Sequence, residues 1–196
     1  MNKEQLRVYV QKRTRRKLRF SETIKYLSKE QIKRLIDSID NIRDKVLIKF
    51  LYSTGMRVGE TVLMQVDDIR FIDNEIDIPA QNTKSKKKRT PRISIEIGND
   101  LKAYLKEFQI TKGRVFPISI RNVQYIVKKY GKKVDLNWIH PHTLRHTHIV
   151  HSLMKGVTMS AVQKQVGHVD LNTTQIYSQL STSDVKEAYN KAGVDF

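Results

Sequence analysis

Cysteine is absent from the chain, and acids are scarce: 20 Asp and Glu stand against 37 Lys and Arg. Without thiols there is no disulfide, no thiol nucleophile and no cysteine-ligated zinc, and the composition fits a reducing compartment. No apolar run reaches membrane-spanning length, and the N-terminal MNKEQLRVYVQKR lacks the apolar core of a signal peptide. There is no HExxH metalloprotease motif and no internal repeat. These absences lead to the expectation of a soluble, cytoplasmic protein with no membrane partner and no metal.

What is present is positive charge. The formal net charge is +17 and the pI about 10.0, an excess that points to a polyanionic partner, nucleic acid first among them. At 39% hydrophobic the chain can bury a core, and 196 residues suit one domain, or one domain and a short arm. Lys3, Arg7, Lys12, Arg13, Arg15, Arg16, Lys17 and Arg19 face a single acid, Glu4, before residue 20. Residues 1–22 are therefore expected to form a basic arm or interdomain linker, with Arg13, Arg15 and Arg16 lying on phosphates. Apolar periodicity, and with it the domain, begins after residue 22.

Ser28-Lys-Glu-Gln31 has the form of a capping box and is followed by Ile32, Leu35, Ile36 and Ile39 at helical spacing. A second helix is predicted from Asn41 to about Tyr52, stopped by Gly55, and a third from Arg57 to Val66. Ile69 to Pro79, broken by Asp73-Asn74, predicts two strands, and the alternation of Ile93, Ile95 and Ile97 predicts a third. Between them lies a polar loop carrying Lys84, Lys86, Lys87, Lys88, Arg89 and Arg92. Helices are then expected over about 101–110, 119–133, 142–155, 159–166, 172–180 and 183–191. The fold class is mainly α with a small three-stranded antiparallel sheet.

Three short motifs carry the chemistry. In His142-Thr-Leu-Arg145, residues three apart share a helix face, so an imidazole and a guanidinium point the same way. Arginine grips two phosphate oxygens with parallel bonds, and histidine moves a proton near neutral pH. Gly167-His168 is followed nine residues later by Tyr177, with Gly167 as the expected helix end and Asn172 as the cap of the next helix. Gly55-Met-Arg57-Val-Gly59-Glu60 puts Arg57 at a helix start, where free N–H groups favour an anion, with Glu60 placed to hold it. Each alone also suits a bland surface helix. His142 and His146, or His148 and His151, have helical zinc-site spacing, but the neighbouring Arg145 cation argues against a metal. Tyr52 and Tyr125 sit at apolar helical positions and are expected in the core.

Taken together, Arg57, Glu60, His142, Arg145, His168 and Tyr177 follow the order R-x-x-E, H-x-x-R, G-H, Y. This resembles the tyrosine recombinase (phage integrase) family, over residues 23–196. The lysine-rich hairpin also looks like that of integrases of conjugative transposons and related mobile elements. The resemblance implies a catalytic lysine before the third strand; Lys84, with Lys87 and Arg89, fits the K-x-x-K-x-R register, and Lys86 is the alternative. The family's proline is displaced to Pro91, and Val166 stands in for the usual leucine.

The resemblance further implies a site-specific DNA recombinase that integrates or excises a mobile element. Tyr177 would form a 3′-phosphotyrosine without any cofactor. Arg57, Lys84, His142, Arg145 and His168 would be its catalytic partners, and Glu60 an orienting residue. Lys86, Lys87, Lys88 and Arg89 would bind DNA. Double-stranded DNA and Holliday junctions would be the partners, in a homotetramer assembled through a C-terminal segment, residues 183–196. Such proteins usually carry an N-terminal core-binding domain, so the chain is expected to be a fragment of a longer recombinase. A type IB topoisomerase-like activity, or a catalytically silent DNA-binding protein on the same fold, remain the alternatives.

Overall fold

The structure, a computed structural model, describes residues 25–83 and 86–167. Seven α-helices, two single-turn 3-10 helices and one small sheet are found among them. The α-helices are α1 (Lys29–Asp37), α2 (Ile42–Thr54), α3 (Val58–Leu63), α4 (Ile95–Glu107), α5 (Ile120–Lys133), α6 (Pro141–Met154) and α7 (Met159–Val166). Strands β1 (Ile69–Arg70) and β2 (Glu75–Ile76) pair antiparallel, Ile69 opposite Ile76. None of these helices is long and apolar enough to cross a membrane.

Local chemistry sets the helix starts. Ser28 Oγ accepts from the Gln31 amide at 3.2 Å while Gln31 Oε1 accepts from the Ser28 amide at 2.8 Å, completing the capping box. Asn41, Ser94, Ser119 and Thr158 cap α2, α4, α5 and α7 with side-chain oxygens in the same way. Gly55 ends α2 at φ +63°, and a Cβ there would lie 2.7 Å from the His148 ring and 2.9 Å from Val166. Only glycine fits that turn.

The buried face of α2 (Val46, Leu47, Ile48, Phe50, Leu51) lies at the middle of the core. It packs on α4 and α6. Phe116 stacks on Tyr104, with ring centroids 5.4 Å apart, and meets Phe50 at 5.9 Å. A smaller cluster of Ile149, Val150, Val162 and Val166 fastens α7 onto α6. The Leu27 amide donates to Thr147 Oγ1 at 3.0 Å and ties the chain before α1 to α6. Burial of these apolar faces, at about 25 cal/mol per Å², supplies the main favourable term.

Two expectations need correction. The third strand over Ile93, Ile95 and Ile97 is instead the start of α4, whose N-cap is Ser94, and the sheet has two strands. A third extended segment does lie beside β2, but earlier, through single bridges of Ile78 with Arg89 and Glu75 with Arg92. Ile93 and Ile97 are buried while Ile95 is 70% exposed. That pattern serves a strand and a capped helix equally, and the Ser94 oxygen on the Ile97 amide decides it. Tyr125, expected in the core, is 69% exposed on the outer face of α5, whereas Tyr52 is partly buried and bonded to His151 Nδ1 at 2.9 Å. The helices expected over 172–180 and 183–191 lie outside the described residues.

Candidate active site

The site forms where the start of α3, the N-terminal half of α6 and the C-terminal end of α7 meet. The last carbonyls of a helix have no partner within it and carry the negative end of its dipole, so they attract cations. Three arginines answer those of α7. Arg145 Nη1 donates to Val166 O and to Gly55 O, both at 2.7 Å, and its Nη2 donates to Gly167 O at 3.0 Å. Arg57 Nη2 donates to the same Gly167 oxygen at 3.2 Å. Arg89 Nη1 donates to Gln165 O at 2.5 Å.

Burial ranks these arginines. Arg145 is 4% exposed, on the inner face of α6 with Leu144 and Thr147. Arg57 is half-buried at the N-cap of α3. Glu60, 3% exposed, accepts from the Arg57 amide at 3.0 Å and from Arg57 Nη1 at 3.4 Å. Its other neighbour is Arg89 Nη2, 2.6 Å from Glu60 Oε2. One buried carboxylate thus serves two guanidinium groups. Its desolvation is offset by bonding on both sides.

A cleft of about 660 Å³ opens beside these groups, lined among others by Arg57, Glu60, Asn82, Lys128, His142 and Arg145. His142 stands exposed at its mouth, its ring 4.8 Å from that of His146 and 6.5 Å from that of His140. Desolvation of the ring, reinforced by Arg145, His140 and Arg57, pulls the His142 pKa below the ordinary imidazole value. It is therefore neutral at pH 7 and able to accept a proton. His146 is pulled down to about 4, chiefly by burial and then by His142. His148, likewise pulled to about 4 by burial, packs beneath Gly55. His151 is buried between Tyr26 and Tyr52.

The structure therefore brings Arg57, Glu60, His142 and Arg145 together. Lys84, His168 and Tyr177 lie outside the described residues, as do Arg13, Arg15 and Arg16. Lys86, Lys87 and Lys88 are exposed on the loop, which Thr83 closes by bonding the Lys87 amide at 3.1 Å and Lys87 O at 3.0 Å. Arg89, expected to bind DNA with them, faces inward instead, its side chain 10% exposed. Sequence reasoning overlooked Gln165, whose side-chain amide pairs with both the N–H and the C=O of Arg92, at 2.9 and 2.8 Å. No local signal marks it. It also overlooked Gln124 and Lys128 on the cleft wall, which the i, i+4 spacing on the polar face of α5 does hint at.

Chemically, the cleft offers converging cations, a neutral imidazole and no unpaired carboxylate among its described lining residues. Among the described residues no group of three His, Cys, Asp or Glu side chains is arranged to hold a metal. Such a site suits an oxyanion whose charge grows in a transition state.

Residues 25–184 match the model of the phage integrase family. The tyrosine recombinase XerA of Pyrococcus horikoshii is 34% identical over 177 residues, covering 86% of this chain and 61% of that protein. The crystal structure of XerA recombinase aligns with a TM-score of 0.73 at 26% identity, covering 90% of this chain and 66% of that chain. XerH site-specific recombinase, in a post-cleavage complex with palindromic difH substrate, aligns with a TM-score of 0.70 at 23% identity, covering 85% and 53%, a likeness of fold. The chain spans about three-fifths of the curated relatives it matches.

Proposed function

The chain belongs to the phage integrase, or tyrosine recombinase, family, and on that premise we propose that it is a site-specific recombinase that cuts and rejoins double-stranded DNA through a covalent 3′-phosphotyrosine. The observation that carries this reading is the convergence of Arg57 and Arg145 on one carbonyl, Gly167 O, at 3.2 and 3.0 Å. They come from the first two motifs of the family order, and Gly167 is the first residue of the third.

In this reading Tyr177 Oη attacks the scissile phosphorus and the bond to the 5′ oxygen breaks, leaving a 5′-hydroxyl. A free phenol titrates near pH 10, at about the tyrosine reference value, so it needs a base and a cationic pocket. His142, neutral at pH 7, takes the phenolic proton. Arg57 and Arg145 hold the non-bridging oxygens and offset the added charge, and His168 donates a further hydrogen bond. Lys84 protonates the leaving oxygen. The phosphotyrosine conserves the bond energy for rejoining, so no nucleotide cofactor is needed. The guanidinium groups take the charge-stabilising role that metals fill in other phosphoryl transfers.

The same reading assigns the basic arm, residues 1–22, and Lys86, Lys87 and Lys88 to the DNA backbone. The segment 183–196 serves assembly of a tetramer on two duplexes, in the cytoplasm, for integration or excision of a mobile element. A nicked suicide duplex carrying the native recombination site tests the cleavage step, because the short fragment bearing the new 5′-hydroxyl diffuses away and traps the adduct. Resolution of a synthetic Holliday junction then separates recombination from topoisomerase-like relaxation. Relaxation of supercoiled plasmid without junction resolution would overturn the recombinase assignment.

A further inference from the structure

Arg89 sits in a run of exposed lysines, yet its guanidinium group is buried against Glu60 at 2.6 Å and Gln165 O at 2.5 Å. Its Cδ and Nε lie 3.0 Å from where a Gly167 Cβ would stand, which places the side chain flat against the glycine that ends α7. Nε is itself buried and has no hydrogen-bond partner among the described residues. Both contacts lead to Arg57. Glu60 Oε2 is shared between Arg89 and the Arg57 amide, and Gly167 O accepts from Arg57 Nη2.

We propose that Arg89 is a positioning residue of the active site, one that sets Arg57 and the C-terminal end of α7 rather than touching DNA. This rests on the recombinase reading above. Two physical effects follow from the geometry. The first is charge. With Arg89 in place, one buried carboxylate faces two guanidinium groups, so Arg57 keeps positive charge for a phosphate. Without Arg89, Glu60 is left to neutralise Arg57 alone.

The second effect is placement. Arg89 closes the lysine loop by pairing with Ile78, its carbonyl accepting from the Ile78 amide at 2.9 Å. The same residue grips Gln165 O, and Gln165 in turn clasps the backbone of Arg92. The loop that carries Lys84 and the helix end that leads to His168 are thus fastened by the side chains of Arg89 and Gln165. A lysine at this position keeps the charge but loses the planar fork that reaches both acceptors.

The test compares the native chain with R89Q and R89K on the trapped suicide duplex. The rate of adduct formation at saturating DNA, the fraction that reacts, the salt dependence of binding and the thermal midpoint are all measured. R89Q is expected to slow adduct formation roughly 10- to 100-fold, the scale by which loss of an orienting partner weakens metal sites, with the salt slope unchanged. R89K should recover part of that rate. In an E60Q background the R89Q penalty should shrink, since the charge that Arg89 offsets is gone.

A salt slope lowered by about 0.9 with a native rate at saturation would make Arg89 a phosphate contact and overturn the proposal. A reduced reactive fraction with a native rate would mark it as fold support only, and would overturn it as well. Absence of adduct with the native chain would instead count against the recombinase reading itself.

Discussion

Replacing Arg145 should unfold as well as inactivate, because the geometry makes it a strut as much as a cation. Its guanidinium donates to Gly55 O and Val166 O at 2.7 Å and to Gly167 O at 3.0 Å, and the residue is 4% exposed. Hydrogen bonds from a charged donor are each worth about 1.5–3 kcal/mol. Arg145→Ala strands at least the two innermost carbonyls, so a loss of about 3–6 kcal/mol is expected, against a total of about 5–15 for a domain of this kind. Arg145→Lys retains the charge but reaches fewer acceptors, and about half that loss is expected. Urea unfolding followed by far-ultraviolet circular dichroism gives both values, with an unchanged m-value confirming that the unfolding reaction is the same. The lysine variant, assayed where it is folded, should cleave roughly 10²–10³-fold more slowly. A loss under about 1 kcal/mol for Arg145→Ala would refute the strut.

Three further outcomes follow from the same structure. Gly55→Ala forces a Cβ to 2.7 Å from the His148 ring at φ +63° and should cost about 2 kcal/mol or more in urea, with loss of cleavage because Gly55 O holds Arg145. His146 and His148 have folded pKa values of about 4 against 6.5 unfolded, so the unfolded chain binds protons first. Stability is then full above pH 6.5 and falls as the pH drops toward 4, and His148→Gln should flatten that slope in urea titrations. Lys86→Gln, Lys87→Gln and Lys88→Gln should each lower the salt slope of DNA binding by up to about 0.9, with adduct formation at saturating DNA unchanged; an unaltered slope in the triple variant would remove this loop from the DNA interface.

Features set by nearest neighbours were legible in the sequence. The Ser28 capping box, the start of α2 at about Asn41, the Gly55 stop and the span of α7 all depend on residues near in sequence, and all appear as expected. The spacings of Arg57 with Glu60 and of His142 with Arg145 were readable for the same reason. The start of α4 was not. Ile93 and Ile97 are buried in either a strand or a helix, and only the Ser94 oxygen on the Ile97 amide separates the two. The burial of Arg89 was not legible, because its partners are Glu60 and a carbonyl 76 positions away. Tyr125 has apolar helical spacing, but α5 turns that position outward.

The central claim is that this cationic cleft prepares one DNA phosphate for one tyrosine. Its most direct measurement is peptide mapping by mass spectrometry of the adduct trapped on the suicide duplex. The account predicts a single modified peptide carrying a 3′-phosphodeoxynucleotide on Tyr177, formed at native yield in excess EDTA and absent from Y177F. A covalent nucleotide on any other residue, or adduct formed by Y177F at the native rate, would contradict it.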